Sequence, residues 1–199
     1  NFIMEKFETL QGVVLPLDKV NIDTDQILPA RYLQKPRANN FGDYLFKDVR
    51  HDGNGLLRPE FVLNQAAYIG AQIMLANDNF GCGSSREHAV WAIYDGGFRA
   101  VIAPSFGDIF FNNALKNGLL PIRLAKSEVM SLFSLAQQNP ETQVVIDLVA
   151  QTVVASPDFC VRFEIDNFSK RCFLEGIDEL GYTLSLLPQI EAFERKQLS

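Results

Sequence analysis

The sequence predicts an α/β fold, a three-layer β/β/α domain built on a mixed sheet. Two observations carry this prediction. The middle of the chain alternates short apolar runs with amphipathic segments, a pattern typical of parallel strands joined by helices. Residues 143–165 instead alternate polar and apolar side chains between turns, a pattern typical of antiparallel strands.

The individual elements follow from local patterns. Short apolar or alternating runs predict strands, and apolar residues three or four positions apart predict helices. Gly96, Gly97 and Gly118 follow two of these helices and are natural helix stops. The predicted strands are Gly12–Leu17, Ala71–Ala76, Ala100–Ala103, Leu120–Arg123, Gln143–Leu148, Gln151–Ala155 and Phe159–Ile165. The predicted helices are Arg86–Tyr94, Gly107–Lys116, Ser127–Gln138, Asn167–Leu174 and Pro188–Gln197.

Length and composition are those of one globular domain. With 199 residues, of which 47% are hydrophobic, the chain can bury one sizeable core but has no room for a second catalytic domain. We therefore expect a single domain over residues 4–199 that ends in a helical extension. Residues 1–3 precede Met4, which resembles a natural start, and we expect them to be a remnant of cloning.

Charge and hydropathy argue against several classes of protein. The net charge is −6 and there is no basic block, so we expect no nucleic-acid partner. No apolar run approaches the roughly 20 residues that span a bilayer, and no secretory leader is recognisable. We expect a cytoplasmic protein that does not bind membranes.

The three cysteines do not form a metal motif. Cys82, Cys160 and Cys172 lie far apart and lack the paired spacing of zinc or iron–sulfur sites. We therefore expect this chain to bind no metal. Cys82 is interpreted as a small packing residue, because neither His51 nor His88 is an evident partner for its thiol.

The most informative segment is Asn79–Ala89, which reads NFGCGSSREHA between a predicted strand and a predicted helix. Gly81 and Gly83 can adopt backbone angles closed to other residues and allow a ligand to approach closely. Amides at a helix start attract anions, and the guanidinium of Arg86 can bind a carboxylate through two hydrogen bonds. The segment therefore predicts a site for an anionic substrate.

A purely structural alternative stays open for the same segment. Ser84 and Glu87 are three residues apart, as in a capping box, where each side chain accepts a hydrogen bond from the other residue's backbone amide. A cap needs only one hydroxyl and no guanidinium, so the run Ser84-Ser85-Arg86 favours the anion site.

A long polar stretch follows the first strand. We expect a turn-rich loop over Asp18–Ala30. The next residues, Arg31–Asn40, are polar and irregular, and Pro36 prevents a regular helix. This stretch, called the 31–40 segment below, is expected to be mobile until substrate and a partner cover it.

Several motifs resemble one known family. Asn79–Ala89 resembles the Gly-x-Gly-Ser-Ser-Arg-Glu signature of the swivelling domain in the aconitase superfamily, and Asn21–Leu33 (NIDTDQILPARYL) resembles that domain's opening motif. The likeness continues through Gly107–Ala114 and Asn117–Pro121 to Phe168–Thr183. Within the superfamily, the chain resembles the small subunits of 3-isopropylmalate dehydratases.

This resemblance implies a hydro-lyase of leucine biosynthesis, which converts 2-isopropylmalate to 3-isopropylmalate by dehydration and rehydration. By the same resemblance Ser84 is the base, Ser85 helps to hold an oxyanion, and Arg86 binds a substrate carboxylate. Gly83, beside them, lets the substrate approach. The Lewis acid is expected to be a [4Fe–4S] cluster held by a separate large subunit, the partner in a heterodimer, while this chain binds no cofactor.

The resemblance also implies that substrate selection depends on the 31–40 segment. In relatives, the residues after a Tyr-Leu pair contact the variable group of the substrate. Arg37 lies at about the distance from Asp25 at which longer aconitases place a substrate-binding arginine. A solvated basic loop is the open alternative for the three cations of this segment. The candidates for contact with substrate are Arg31, Tyr32, Leu33, Gln34, Lys35 and Arg37.

Three classes of function stay open. The favoured one is a catalytic small subunit that acts on a hydroxy-dicarboxylate, with homoaconitase and methylmalate or citraconate hydro-lyases as near relatives. A non-catalytic carboxylate-binding module would keep the anion site but need no partner cluster. A serine hydrolase is disfavoured, because Ser84 lacks the Gly-x-Ser-x-Gly elbow and the chain has only two histidines.

Overall fold

Seven strands form one mixed sheet in the structure, a computed structural model that describes residues 4–38 and 40–197. The expectation about residues 1–3 falls outside this range. The strands are β1 Thr9–Leu17, β2 Ile73–Ala76, β3 Ala100–Ala103, β4 Leu120–Arg123, β5 Gln143–Asp147, β6 Thr152–Ser156 and β7 Phe159–Arg162. Their order across the sheet is β4-β3-β2-β1-β5-β6-β7.

Strand β1 takes part in both halves of the sheet. Its residues Val14–Leu17 pair in parallel with Ile73–Ala76 of β2, and β2, β3 and β4 continue in parallel. Its earlier residues, 9–13, pair antiparallel with residues 143–147 of β5, and β6 and β7 continue antiparallel. The mixed sheet predicted from the two sequence patterns is confirmed.

Helices cover both faces of the parallel half. The helices are α1 Thr24–Ile27, α2 Lys47–Arg50, α3 Glu87–Asp95, α4 Asp108–Lys116, α5 Lys126–Gln138, α6 Asn167–Glu175 and α7 Glu179–Gln197. No helix within the described residues has the length and apolar character needed to cross a membrane.

Two apolar clusters, one on each face of the parallel strands, make the layers. On one face, Leu15, Met74 and Val101 belong to the same buried cluster as residues of α3 and α4. On the other face, Ile73 and Ile102 belong to a cluster that includes α5 and the inner side chains of β5 and β6. The parallel strands therefore lie between a layer that contains α3 and α4 and a second layer that contains α5 and the antiparallel strands continuing from β1. This arrangement confirms the predicted three-layer fold class.

The last helix begins earlier than predicted. We expected it to start at Pro188, but α7 starts at Glu179 and contains Pro188 in its interior. The carboxylate of Asp178 accepts the backbone N–H of Gly181 at 2.7 Å, which fixes the earlier start. Proline cannot donate the helical hydrogen bond to the carbonyl of Leu184, four residues before it, a residue that is exposed to water.

Candidate active site

The two motifs singled out in the sequence lie side by side. The backbone N–H of Gly81 donates to the carbonyl of Ile22 at 2.7 Å, and the N–H of Thr24 donates to the carbonyl of Cys82 at 2.9 Å. These segments leave the carboxyl ends of β1 and β2, which are adjacent and parallel. Ligands in α/β sheets bind at this edge, so the topology brings the motifs together where a site is expected.

The two glycines of the signature turn serve different purposes. Gly81 has φ +73°, and a Cβ there would lie 2.2 Å from Cγ of Phe110, so both the backbone conformation and the space require glycine. Gly83 has φ +97°, but its Cβ would come no closer than 3.5 Å to another residue, the Cβ of Asp23. Gly83 is therefore required for its conformation rather than for space.

Ser84 and Ser85 are exposed at the outer side of this turn. Neither hydroxyl has a hydrogen-bond partner among residues 4–38 and 40–197. The carbonyl of Ser84, in contrast, accepts the hydroxyl of Thr24 at 3.1 Å and the N–H of Arg86 at 2.9 Å. The backbone of Ser84 is thus held in place while its side chain stays available to a ligand.

Unpaired backbone amides surround these hydroxyls. In the described parts of the chain, the N–H groups of Ser84, Ser85 and Glu87 donate to no acceptor. Glu87 is the first residue of α3, where the partial positive charge of the helix is concentrated. Such free donors can stabilise a negative charge on substrate or on a serine oxygen.

Arg86 is oriented by Asp25. Its Nη1 donates to Oδ1 of Asp25 at 2.8 Å, and that oxygen also accepts the backbone N–H of Ala30 at 3.0 Å. The arginine side chain is 21% exposed and the aspartate 62% exposed. Since a guanidinium has five N–H donors, most of them stay available for a carboxylate.

The capping box is not formed. Helix α3 begins at Glu87 with Arg86 at the N-cap position, and no side chain caps it. Glu87 instead accepts a hydrogen bond of 2.8 Å from Nδ2 of Asn117, whose Oδ1 accepts from Trp91 at 2.9 Å. The carboxylate that a capping box needs is engaged with Asn117, the residue after α4, so the structural alternative for Ser84 is wrong. The helix also starts one residue later than predicted.

The cysteine and histidines near the site do not form a nucleophilic pair. Burial raises the pKa of the Cys82 thiol, and the Asp23 carboxylate raises it further. The ring of His88 packs against Trp91 at 4.4 Å, and Nδ1 of His51 lies 3.1 Å from the carbonyl of Lys47. The hydrolase alternative therefore lacks a base beside Ser84. Over the described ranges, no three potential metal ligands come close together.

The start of the 31–40 segment has specific contacts. Arg31 binds Asp48 through two hydrogen bonds, which raises the pKa of the arginine above its usual range and lowers that of the aspartate. The ring of Tyr32 stacks on Tyr44 with centroids 4.3 Å apart. Leu33 is half-buried and packs against the apolar cluster below it. We expected this segment to lack fixed contacts, but its start is anchored by charge and by stacking.

The remainder of the segment divides into an exposed tip and a second anchor. Gln34 and Lys35 are exposed. Arg37 forms an ion pair with Asp95, at the end of α3 opposite the signature turn. Asn39 lies outside the described residues. The structure thus brings Ser84, Ser85 and Arg86 together but does not bring Arg37 to them.

Known protein families and relatives match this chain over nearly its whole length. The family model of the aconitase C-terminal domain matches residues 4–127, and the LeuD_N model matches residues 131–167. A 3-isopropylmalate dehydratase small subunit from Azorhizobium caulinodans is 50% identical over 96% of this chain and 95% of its own length. One from Leptospira interrogans is 48% identical over 98% and 95%.

The chain belongs to the 3-isopropylmalate dehydratase small-subunit family. A solved structure of this family agrees with the fold, a 3-isopropylmalate dehydratase (leuD) from Methanocaldococcus jannaschii. It is 26% identical, covers 95% of this chain and 99% of its own, and aligns with a TM-score of 0.65. The resemblance inferred from the sequence motifs is confirmed.

Two site residues of this family member were not singled out from the sequence. Thr24 holds the carbonyl of Ser84, and Asp25 holds the guanidinium of Arg86. The sequence feature that could have identified these residues is the polar run Asp23-Thr24-Asp25, which closely follows an apolar strand. Ligand sites in α/β sheets are built just after the ends of such strands.

Proposed function

We propose that this chain is the base-bearing small subunit of a 3-isopropylmalate dehydratase, which isomerises 2-isopropylmalate to 3-isopropylmalate in leucine biosynthesis. The observation that carries the proposal is the run Ser84-Ser85-Arg86 at the strand edge, in which both serines are exposed, their hydroxyls have no partner among the described residues, and the guanidinium is held by Asp25. The names of the relatives support the same activity over almost the full length of the chain.

Ser84 is proposed to transfer the proton. In dehydration it removes a proton from the carbon next to the one that carries the hydroxyl, and in rehydration it returns a proton to the other carbon of the double bond. A neutral serine hydroxyl is a weak base, and its alkoxide, which is the effective base, forms only where the negative charge is stabilised. The free amides of Ser85 and Glu87 and the charge of Arg86 are placed to do this once water is excluded.

Arg86 and Ser85 are proposed to bind the substrate. A carboxylate can bind the N–H donors of Arg86 that Asp25 leaves available, and this fixes the substrate carbon relative to Ser84. The hydroxyl of Ser85 has no partner in the described chain and can donate to a developing oxyanion.

A large subunit is proposed to complete the site. Both serines are exposed, so the dry surroundings that Ser84 needs must come from a partner surface. A [4Fe–4S] cluster supplies a Lewis acid for the leaving hydroxyl when it is bound. The described residues of this chain offer no ligand set for such a cluster, which is therefore assigned to the large subunit.

Hydration of isopropylmaleate tests the proposal. The purified chain alone is expected to give no turnover, and the chain mixed with its cluster-loaded large subunit is expected to form both isopropylmalates. Iron-dependent turnover by the chain alone would show that the site is complete without a partner. No turnover by the complex, together with substrate binding by the chain alone, would favour a carboxylate-binding module.

A further inference from the structure

Arg37 and Asp95 join the 31–40 segment to the C-terminal end of α3. Nε of Arg37 donates to Oδ2 of Asp95 at 2.9 Å, and Nη2 donates to Oδ1 at 2.7 Å. The side chains are only 19% and 18% exposed. Because Asp95 is nine residues after Arg86 and a helix rises about 1.5 Å per residue, this pair lies roughly 14 Å along the helix from Arg86.

The surroundings of the pair also belong to α3. The guanidinium of Arg37 lies 5.4 Å from the ring centroid of Trp91 and 5.9 Å from that of Tyr94. A few residues later, Gly42 lies so close to the helix end that a Cβ there would be 2.5 Å from the carbonyl oxygen of Asp95. Charge, stacking and close backbone packing therefore all fasten this part of the chain to the same helix end.

The electrostatics favour a permanent pair. A carboxylate at the C-terminal end of a helix is disfavoured by the helix dipole, and Arg37 offsets this charge at Asp95. A two-point arginine–carboxylate pair with little exposure is strong and directional. If Arg37 left to bind substrate, Asp95 would stay largely buried beside aromatic rings without this cation.

We propose that Arg37 and Asp95 are positioning residues that set substrate selectivity through the exposed tip of the 31–40 segment. This proposal rests on the proposed function and on the implication of the family resemblance that the residues after Tyr32-Leu33 contact the variable group of the substrate. The tip, Gln34–Pro36, lies between two anchors: the Arg31 and Tyr32 contacts before it and the Arg37 pair after it. The second anchor lies at the C-terminal end of α3, and the run Ser84-Ser85-Arg86 directly precedes its N-terminal end. The helix therefore fixes the distance between the tip, which the second anchor holds, and the signature.

The test uses the complete enzyme with two substrates, 2-isopropylmalate and homocitrate, which carry an apolar and a carboxylate side group. The variants are Asp95→Asn, Arg37→Lys and the exchanged pair Arg37→Asp with Asp95→Arg. We expect Asp95→Asn and Arg37→Lys to raise KM and to change the ratio of kcat/KM for the two substrates by up to about 100-fold, with kcat much less affected. The exchanged pair should recover most of the wild-type ratio.

Arg99→Lys is the matched control. Arg99 lies over the ring of Tyr94 at 3.9 Å and donates to the carbonyl of Tyr94, so this variant changes the same helix end without touching the 31–40 segment. Its selectivity ratio should equal that of the wild type. Amide hydrogen exchange of the free chain gives a readout besides activity, because Asp95→Asn should speed exchange over residues 31–44 and Arg99→Lys should not.

Three results would overturn the proposal. Loss of activity in Arg37→Lys without any change in Asp95→Asn would make Arg37 a substrate-binding residue. A lower melting temperature with an unchanged selectivity ratio would make the pair merely structural. Unchanged exchange over residues 31–44 in Asp95→Asn would show that the pair does not hold the segment. An inactive wild-type complex would contradict the proposed function instead, and the exchange measurement would still decide whether the pair is an anchor.

Discussion

The hydroxyl of Thr24 donates a 3.1 Å hydrogen bond to the carbonyl oxygen of Ser84, a residue 60 positions away in the sequence. Thr24 is only 2% exposed, so water does not compete for this donor. The bond fixes the backbone that carries the Ser84 hydroxyl, and it links the opening motif to the signature directly.

Thr24→Val tests this link. Valine keeps the shape but removes the donor, so we expect the free energy of unfolding to fall by about 1 kcal/mol, the usual net value of such a bond. The kcat of the complex should fall more than KM changes, because Ser84 is held less firmly. Thr24→Ser keeps the hydroxyl and serves as the control. Equal kcat in both variants would show that the bond has no role in the reaction.

Ser84→Ala is expected to leave the folded chain unchanged. The Ser84 hydroxyl has no partner in the described chain and does not cap α3, so its removal should change the free energy of unfolding by less than about 0.5 kcal/mol. Chemical denaturation of the free chain measures this. A loss of 1 kcal/mol or more, the usual value of a helix cap, would restore the capping interpretation.

Arg86→Lys is expected to weaken substrate binding. Lysine cannot reproduce the planar fork, and loss of one charged hydrogen bond should raise KM by about 10- to 100-fold. Asp25→Asn should raise KM by less, because the guanidinium stays present but is held less firmly. Arg171→Lys is the control, since Arg171 pairs with Glu175 on the exposed side of α6. An unchanged KM in Arg86→Lys would remove this residue from the binding site.

Gly81→Ala and Gly83→Ala should differ in stability. Gly83→Ala meets only the cost of a left-handed backbone, about 1 kcal/mol. Gly81→Ala has the same cost and also places a Cβ 2.2 Å from Cγ of Phe110, so we expect it to destabilise by a further 1–3 kcal/mol, roughly the value for overpacking. Denaturation midpoints of the two variants compare these costs. Equal midpoints would mean that Phe110 moves aside freely.

The central part of the fold could be predicted because its local patterns are unambiguous. The bounds of β3 and β4 agree with the prediction, since β3 is a buried apolar run of four residues and β4 has three buried apolar residues before the exposed Arg123. Residues 18–40 were predicted only as loops, and no helix or strand was predicted for residues 41–70. Residues 18–70 contain α1, α2 and several short 3-10 turns. The apolar residues of these elements follow no helical or strand period, because they are buried by long-range packing.

The candidate site could be predicted only in part. The run Ser84-Ser85-Arg86 is recognisable because its residue types together exceed what a helix cap needs. Its supporting contacts with Thr24 and Asp25 depend on the parallel pairing of β1 and β2, which no local pattern specifies. The position of Arg37 likewise depends on where α3 ends relative to the 31–40 segment.

Turnover of isopropylmaleate by the complex reconstituted with Ser84→Ala tests the central claim most directly. If Ser84 is the base, kcat should fall by about 10²- to 10⁴-fold, the usual contribution of a general base, while KM stays close to the wild-type value. A variant complex that keeps the wild-type kcat would show that another group moves the proton, and would contradict the role assigned to this chain.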